Sequence, residues 1–101
     1  MTDVRDDGGN SQYEIVVDGT RAGIAHYVTV EGGRVFDHTE IDAAFEGKGI
    51  GSALARGALD DVRARGIRIG ATCPFFRSFL DRHPEYQDLV DPTLAAKARR
   101  D

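Results

Sequence analysis

Apolar positions along the chain first change period near residue 45, and that change organises the reading of the rest. Between Tyr13 and Ile41 they form short runs rich in β-branched and aromatic residues, bounded by turn residues. Such runs predict strands. Tyr13–Val17 is the first, closed by the hairpin signal Asp18-Gly19. The second spans about Ala22–Val30 and is closed by Gly32-Gly33; the third runs from Arg34 to Ile41. Successive strands joined by short turns predict an antiparallel meander. From Ile50 the period becomes helical, with Ile50, Ala53, Leu54, Ala58 and Val62 on one face and Gly66 where a C-terminal cap belongs. Gly57 costs that helix about 1 kcal/mol relative to alanine. Close packing against the sheet or a ligand would account for it, and so would simple tolerance. Ile67–Thr72 reads as another strand, so strand, helix and strand predict a right-handed crossover with parallel pairing. Pro74 opens a second helix with Phe75, Phe76, Phe79 and Leu80 on its apolar side, and Pro84 stops it near His83. Residues 1–10 read as a flexible leader, 11–91 as one domain, and 92–101 as a short tail, helical or frayed.

Composition narrows the class. With 101 residues, 41% of them hydrophobic, the chain can bury one small core. A net charge of −4 and a pI near 5.3 argue against a general nucleic-acid binder. No apolar run reaches the ~18–20 residues of a membrane span, and the acidic start lacks the apolar stretch of a signal peptide. The single cysteine, Cys73, has no internal disulfide partner and fits a reducing, cytoplasmic setting. No Cys/His set has zinc-site spacing, so no metal is expected.

The change of period coincides with Phe45-Glu46-Gly47-Lys48-Gly49-Ile50-Gly51-Ser52. Glycines let a backbone turn sharply and approach a ligand closely. A helix N-terminus presents unpaired N–H groups and a positive dipole end. Together they make a phosphate cradle. Two familiar loops do not fit. A Walker A loop needs G-x-x-x-x-G-K-[ST], but Gly47-Lys48 is followed by Gly49. A dinucleotide fingerprint needs G-x-G-x-x-G, and Ser52 occupies its third glycine position. Spacing alone leaves both a phosphate cradle and an empty turn open.

The meander, the glycine loop capping a helix and the following strand resemble the GCN5-related N-acetyltransferases. Those enzymes hold the acetyl-CoA pyrophosphate on the backbone amides of a [QR]-x-x-G-x-[GA] loop. The corresponding segment here is Glu46-Gly47-Lys48-Gly49-Ile50-Gly51. Its two glycines match, whereas Glu46 replaces the usual Gln or Arg and removes a donor near the phosphates. His38-Thr39-Glu40-Ile41, Gly47–Leu54, Cys73-Pro74-Phe75-Phe76 and His83-Pro84-Glu85-Tyr86 follow one another as in the small YjdJ-type subgroup.

The resemblance implies a minimal α/β (α+β) acetyltransferase fold with acetyl-CoA as co-substrate. Glu46, Gly47, Lys48, Gly49, Ile50, Gly51 and Ser52 would bind it. The subgroup lacks the N-terminal helices that wall in a substrate in larger relatives. That implies an open site suited to an amine, including one on a protein or peptide, in a monomer or weak dimer. The alternative is a CoA-binding regulatory module with little turnover.

Three residues carry the candidate chemistry. His38 and Glu40 lie two apart on a strand and so share a face. An amine nucleophile needs a base near neutral pH, and a strand glutamate, if buried, often serves in the family. The alternative is a polar pair on a solvated face. Cys73 stands at the mouth of the second helix, where thiolates are favoured. The resemblance puts it near the pantetheine end of CoA, as acetyl acceptor or channel lining; a buried core cysteine is the other reading. Lys48 and Arg77 read equally as phosphate contacts or solvated charges. Phe75, Phe76 and Phe79 read as core. Tyr86 reads as helix-end packing or as an acid for the leaving thiolate.

Overall fold

The computed structural model describes residues 1–98. Five strands form one sheet in the order β1-β2-β3-β4-β5: Thr2–Asp7, Gln12–Val17, Thr20–Val30, Gly33–Ile41 and Arg68–Ala71. The first four are antiparallel, and β5 pairs parallel to β4. The connection between β4 and β5 is helix α1, Ile50–Arg65, the expected crossover. Helix α2, Pro74–Arg82, starts at its proline, and a short helix α3, Leu94–Ala98, follows. No helix among the described residues is long and apolar enough to cross a membrane.

Alternation along the strands explains the two faces. Tyr13, Ile15, Tyr27 and Phe36 point to one side and meet Leu54, Ala58, Leu59 and Val62 of α1 and Phe76 and Phe79 of α2 in a single core. Phe36 and Phe76 stack in parallel with ring centroids 4.2 Å apart. On the other side Leu94 of α3 closes over Gly33, where a Cβ would lie 2.8 Å from it, and over Gly70, where a Cβ would be tightly packed at 3.2 Å. α3 realises the helical alternative for the tail, whose residues 99–101 lie outside the described residues.

The expected flexible leader is corrected by the fold. Thr2–Asp7 pairs with β2 in continuous register from Thr2↔Val17 to Asp7↔Gln12, and Gly8–Asn10 makes a single 3-10 turn. Within Thr2–Asp7 only Val4 is apolar, so no alternation marks a strand. Two distant partners hold it. Val4 packs on Gly57, where an added Cβ would lie 2.6 Å from the valine. Asp6 binds Tyr27, Arg34 and Arg65, from β3, β4 and α1. Close packing is therefore the reason for the glycine inside α1.

Candidate functional site

The loop before α1 adopts the conformation its glycines permit. Gly47 and Gly49 take φ of +79° and +74°, in the left-handed region that side chains disfavour. Gly49 is the N-cap of α1 and offers no side-chain cap. The first intrahelical bond begins only at the Ala53 N–H, which donates to the Gly49 carbonyl at 3.1 Å. The preceding amides are the unpaired donors of a helix start, and the dipole adds positive potential there. A Cβ at Gly47 or Gly49 would project into open space, so the loop backbone is accessible. Glu46 and Lys48 are exposed on the same loop.

Beside the loop lies a groove of about 330 Å³ lined by Thr39, Ile41, Phe45, Ile50, Gly51 and Phe75 among others. It arises because β5 is short. The parallel ladder ends at Phe36↔Ala71, after which β4 continues to Ile41 and the chain turns into α2. The Phe36 carbonyl accepts both the Thr72 and the Cys73 N–H, at 2.9 and 3.2 Å, which marks the point of divergence. Gly51 is needed for width: a Cβ there would stand 3.0 Å from Phe75. Phe76 and Phe79 are core as expected, whereas Phe75 is half-buried and faces the groove.

Cys73 is the N-cap of α2 and is 5% exposed. Its Sγ lies 3.3 Å from Thr39 Oγ1, a contact across the diverging strands. Nothing in the sequence distinguishes Thr39, since a strand threonine carries no signal of its own. His38 and Glu40 do share a face, and His38 Nε2 meets Glu40 Oε2 at 2.6 Å. That face is opposite to the one bearing Thr39 and Ile41. Their side chains are 56% and 67% exposed, so Glu40 lacks the burial expected of a glutamate base. The structure thus sets Cys73 against Thr39, which lines the groove, and leaves His38 and Glu40 on the opposite face of the sheet.

Two further candidates are placed elsewhere. Tyr86 is buried and its hydroxyl donates to Asp60 of α1 at 2.9 Å; burial and that bond push its phenol upward. Arg77 is exposed on α2. Among the described residues no group of three or more His, Cys, Asp or Glu is arranged to hold a metal ion.

Comparison with known proteins gives this geometry a context. A family model described as GCN5-related N-acetyl-transferase matches residues 12–89. Protein NATD1 of Bos taurus is 35% identical over 65 residues, covering 60% of this chain and 58% of the bovine protein. The chain therefore matches less than two thirds of that relative's length. The solution structure of a GCN5-like candidate N-acetyltransferase from Staphylococcus aureus superposes with a TM-score of 0.67 at 22% identity, over 89% of this chain and 88% of the other. Ribosomal-protein-alanine N-acetyltransferase from Brucella melitensis biovar Abortus 2308 gives 0.51 at 23% identity, over 79% and 62%. At these identities the structural likeness is one of fold.

Proposed function

The chain belongs to the GCN5-related N-acetyltransferase family, and on that premise we propose that it binds acetyl-CoA and transfers the acetyl group to an amine. One observation carries the reading: an uncapped helix start with two left-handed glycines opens directly onto an apolar groove that ends near a cysteine. The donor set suits a pyrophosphate, because backbone amides and a dipole favour anions without requiring a charged side chain. Amides of residues 47–52 would hold the phosphates, with Lys48 adding charge and the exposed Glu46 opposing it. Thr39, Ile41, Phe45 and Phe75 would enclose the pantetheine arm. The bound thioester supplies an activated acetyl group, and holding it beside an amine provides much of the acceleration.

Cys73 reaches the groove wall through Thr39, either receiving the acetyl group itself or flanking a direct transfer. His38 and Glu40 line the open sheet face by which an amine, including one on a protein or peptide, would approach. Calorimetry with acetyl-CoA tests the binding half: no detectable heat would sink it. Intact-mass measurement after incubation then tests the route. An acetyl adduct that disappears in Cys73→Ala supports the covalent path, and full transfer by Cys73→Ala eliminates it. Binding with no transfer to any amine would leave the chain a CoA-binding module.

A further inference from the structure

The two edges of the sheet differ. Beyond β5, Val90 bridges Ile69 in parallel and the Asp91 N–H donates to the Ile69 carbonyl at 2.9 Å. Beyond β1, among the described residues, no strand follows. The Asp18 N–H donates to the Met1 carbonyl at 2.9 Å, which fixes the phase of the β1–β2 ladder. Backbone groups alternate in direction along an antiparallel strand. Those of Met1, Asp3, Arg5 and Asp7 therefore turn toward β2, and those of Thr2, Val4 and Asp6 point out of the sheet edge. Edge groups of this kind are a template for another strand.

Charged side chains commonly blunt a free edge, but the order of charges in β1 suits one partner. Val4 packs on Gly57 of α1, so Asp3 and Arg5 stand together on the other face of the sheet. Both are exposed, and among the described residues neither forms an ion pair. Arg5 lies opposite Glu14, which already meets Arg21 at 3.5 Å and accepts a bond from Gln12. A second β1, antiparallel and centred on Val4, sets Asp3 opposite the partner's Arg5 and Arg5 opposite the partner's Asp3. Side chains so opposed have Cβ atoms about 4.5–5.5 Å apart, where opposite charges attract. The same register joins Val4 to the partner's Val4 and Thr2 to the partner's Asp6, so every edge-facing backbone group of β1 finds a counterpart. Moving it by two residues opposes Asp3 to the partner's Asp3 or Arg5 to the partner's Arg5, and directly opposed like charges destabilise. Moving it by one residue sets edge-facing groups against groups already turned to β2.

We propose that β1 is a dimerisation edge: two copies of this chain join through an antiparallel β1–β1 pair centred on Val4, with Asp3 and Arg5 selecting the register. The contact is isologous, so each charge pair occurs twice. It continues two five-stranded sheets into one. An interface one strand wide is small, and the dimer is weak and dependent on concentration. The inference rests on the sheet edge and is independent of the acetyltransferase reading.

The experiment is sedimentation velocity at rising protein concentration, with far-UV circular dichroism to follow the fold. It compares wild type, Asp3→Arg, Arg5→Asp, an equal mixture of those two variants, the double variant Asp3→Arg/Arg5→Asp, and Thr2→Pro. Wild type is expected to dimerise with a Kd of about 1 mM or tighter, more weakly as salt rises. Each single reversal opposes like charges and should weaken self-association about tenfold or more. The mixture restores both charge pairs in a heterodimer, and the double variant restores them in a homodimer, so both should recover association. A variant that merely loosened β1 would not be rescued in this way. Thr2→Pro removes an edge-facing N–H without touching the β2 ladder; it should keep the fold and lose the dimer, which keeps the test decisive if a charge reversal unfolds the chain. Wild type monomeric up to about 1 mM, association unchanged by both reversals, a mixture no stronger than its components, or undiminished dimerisation of Thr2→Pro overturns the proposal.

Discussion

The Tyr27 hydroxyl donates to Asp6 Oδ1 at 2.7 Å, joining a core aromatic of β3 to the N-terminal edge strand. Asp6 Oδ2 also receives Arg34 at 3.1 Å and Arg65 at 3.2 Å. The Arg34 guanidinium lies 4.3 Å from the centroid of the Tyr27 ring and donates to the Tyr13 hydroxyl at 2.9 Å, which in turn donates to Asp61 of α1. One carboxylate thus locks β1, β3, β4 and α1 together, at the end of α1 remote from the glycine loop.

Loss of that carboxylate should unfold more than a leader. Asp6→Ala leaves Arg34 and Tyr27 short of an acceptor in a site where Asp6 is 7% and Arg34 15% exposed. Breaking a fully buried pair costs about 3–5 kcal/mol; with Arg65 half-exposed we expect about 2 kcal/mol. Urea unfolding checks this, and an unchanged midpoint would mean that β1 is not docked through Asp6.

Gly57→Ala should destabilise even though alanine is the better helix former by about 1 kcal/mol. Its methyl group would overlap Val4 at 2.6 Å, and overpacking typically costs about 1–3 kcal/mol. Adding Val4→Ala should recover most of the loss, so a double-mutant cycle gives a clear coupling energy. Additive effects would place the strain elsewhere.

Alkaline stability should fall in a defined window. Burial, then the hydrogen bond to Asp6, pushes the Tyr27 phenol from 10.0 up to about 12; burial and Asp61 push Tyr13 up as well. Above pH 10 the unfolded chain loses phenolic protons that the folded protein retains, so stability must drop as pH rises. The contribution is complete below pH 10 and is lost as pH climbs through about 12. Phenolate absorbance of Tyr27 should emerge together with loss of secondary structure. Early, separate titration would contradict the buried network.

Gly49→Ala distinguishes strain from binding. A left-handed alanine costs about 1–2 kcal/mol, and its Cβ enters the open space above the loop. We expect acetyl-CoA affinity to fall about tenfold or more, a change of about 1.4 kcal/mol. Lys48→Ala, removing one exposed charge, should change it by less than about 1 kcal/mol. Equal affinity for Gly49→Ala and wild type would show that the loop amides do not hold the phosphates.

Much of this was readable from the chain. Strands β2 to β5, α1, α2 and the crossover follow from period and turn chemistry, because each local preference agrees with the final fold. β1 was not readable: its six residues carry one apolar side chain, and its anchors lie on other elements. The loop glycines could be identified, yet Thr39 beside Cys73 could not.

The sequence by itself determined the meander, the glycine-capped helix and the small set of residues able to do chemistry, since those depend on spacing within one segment. The tertiary structure alone decided which of them meet. It set Cys73 against Thr39 on the groove face and put His38 and Glu40 on the other. The physical reason is that face and contact depend on strand register and on where the β4–β5 ladder ends, and a one-residue shift in register reverses every side chain that follows.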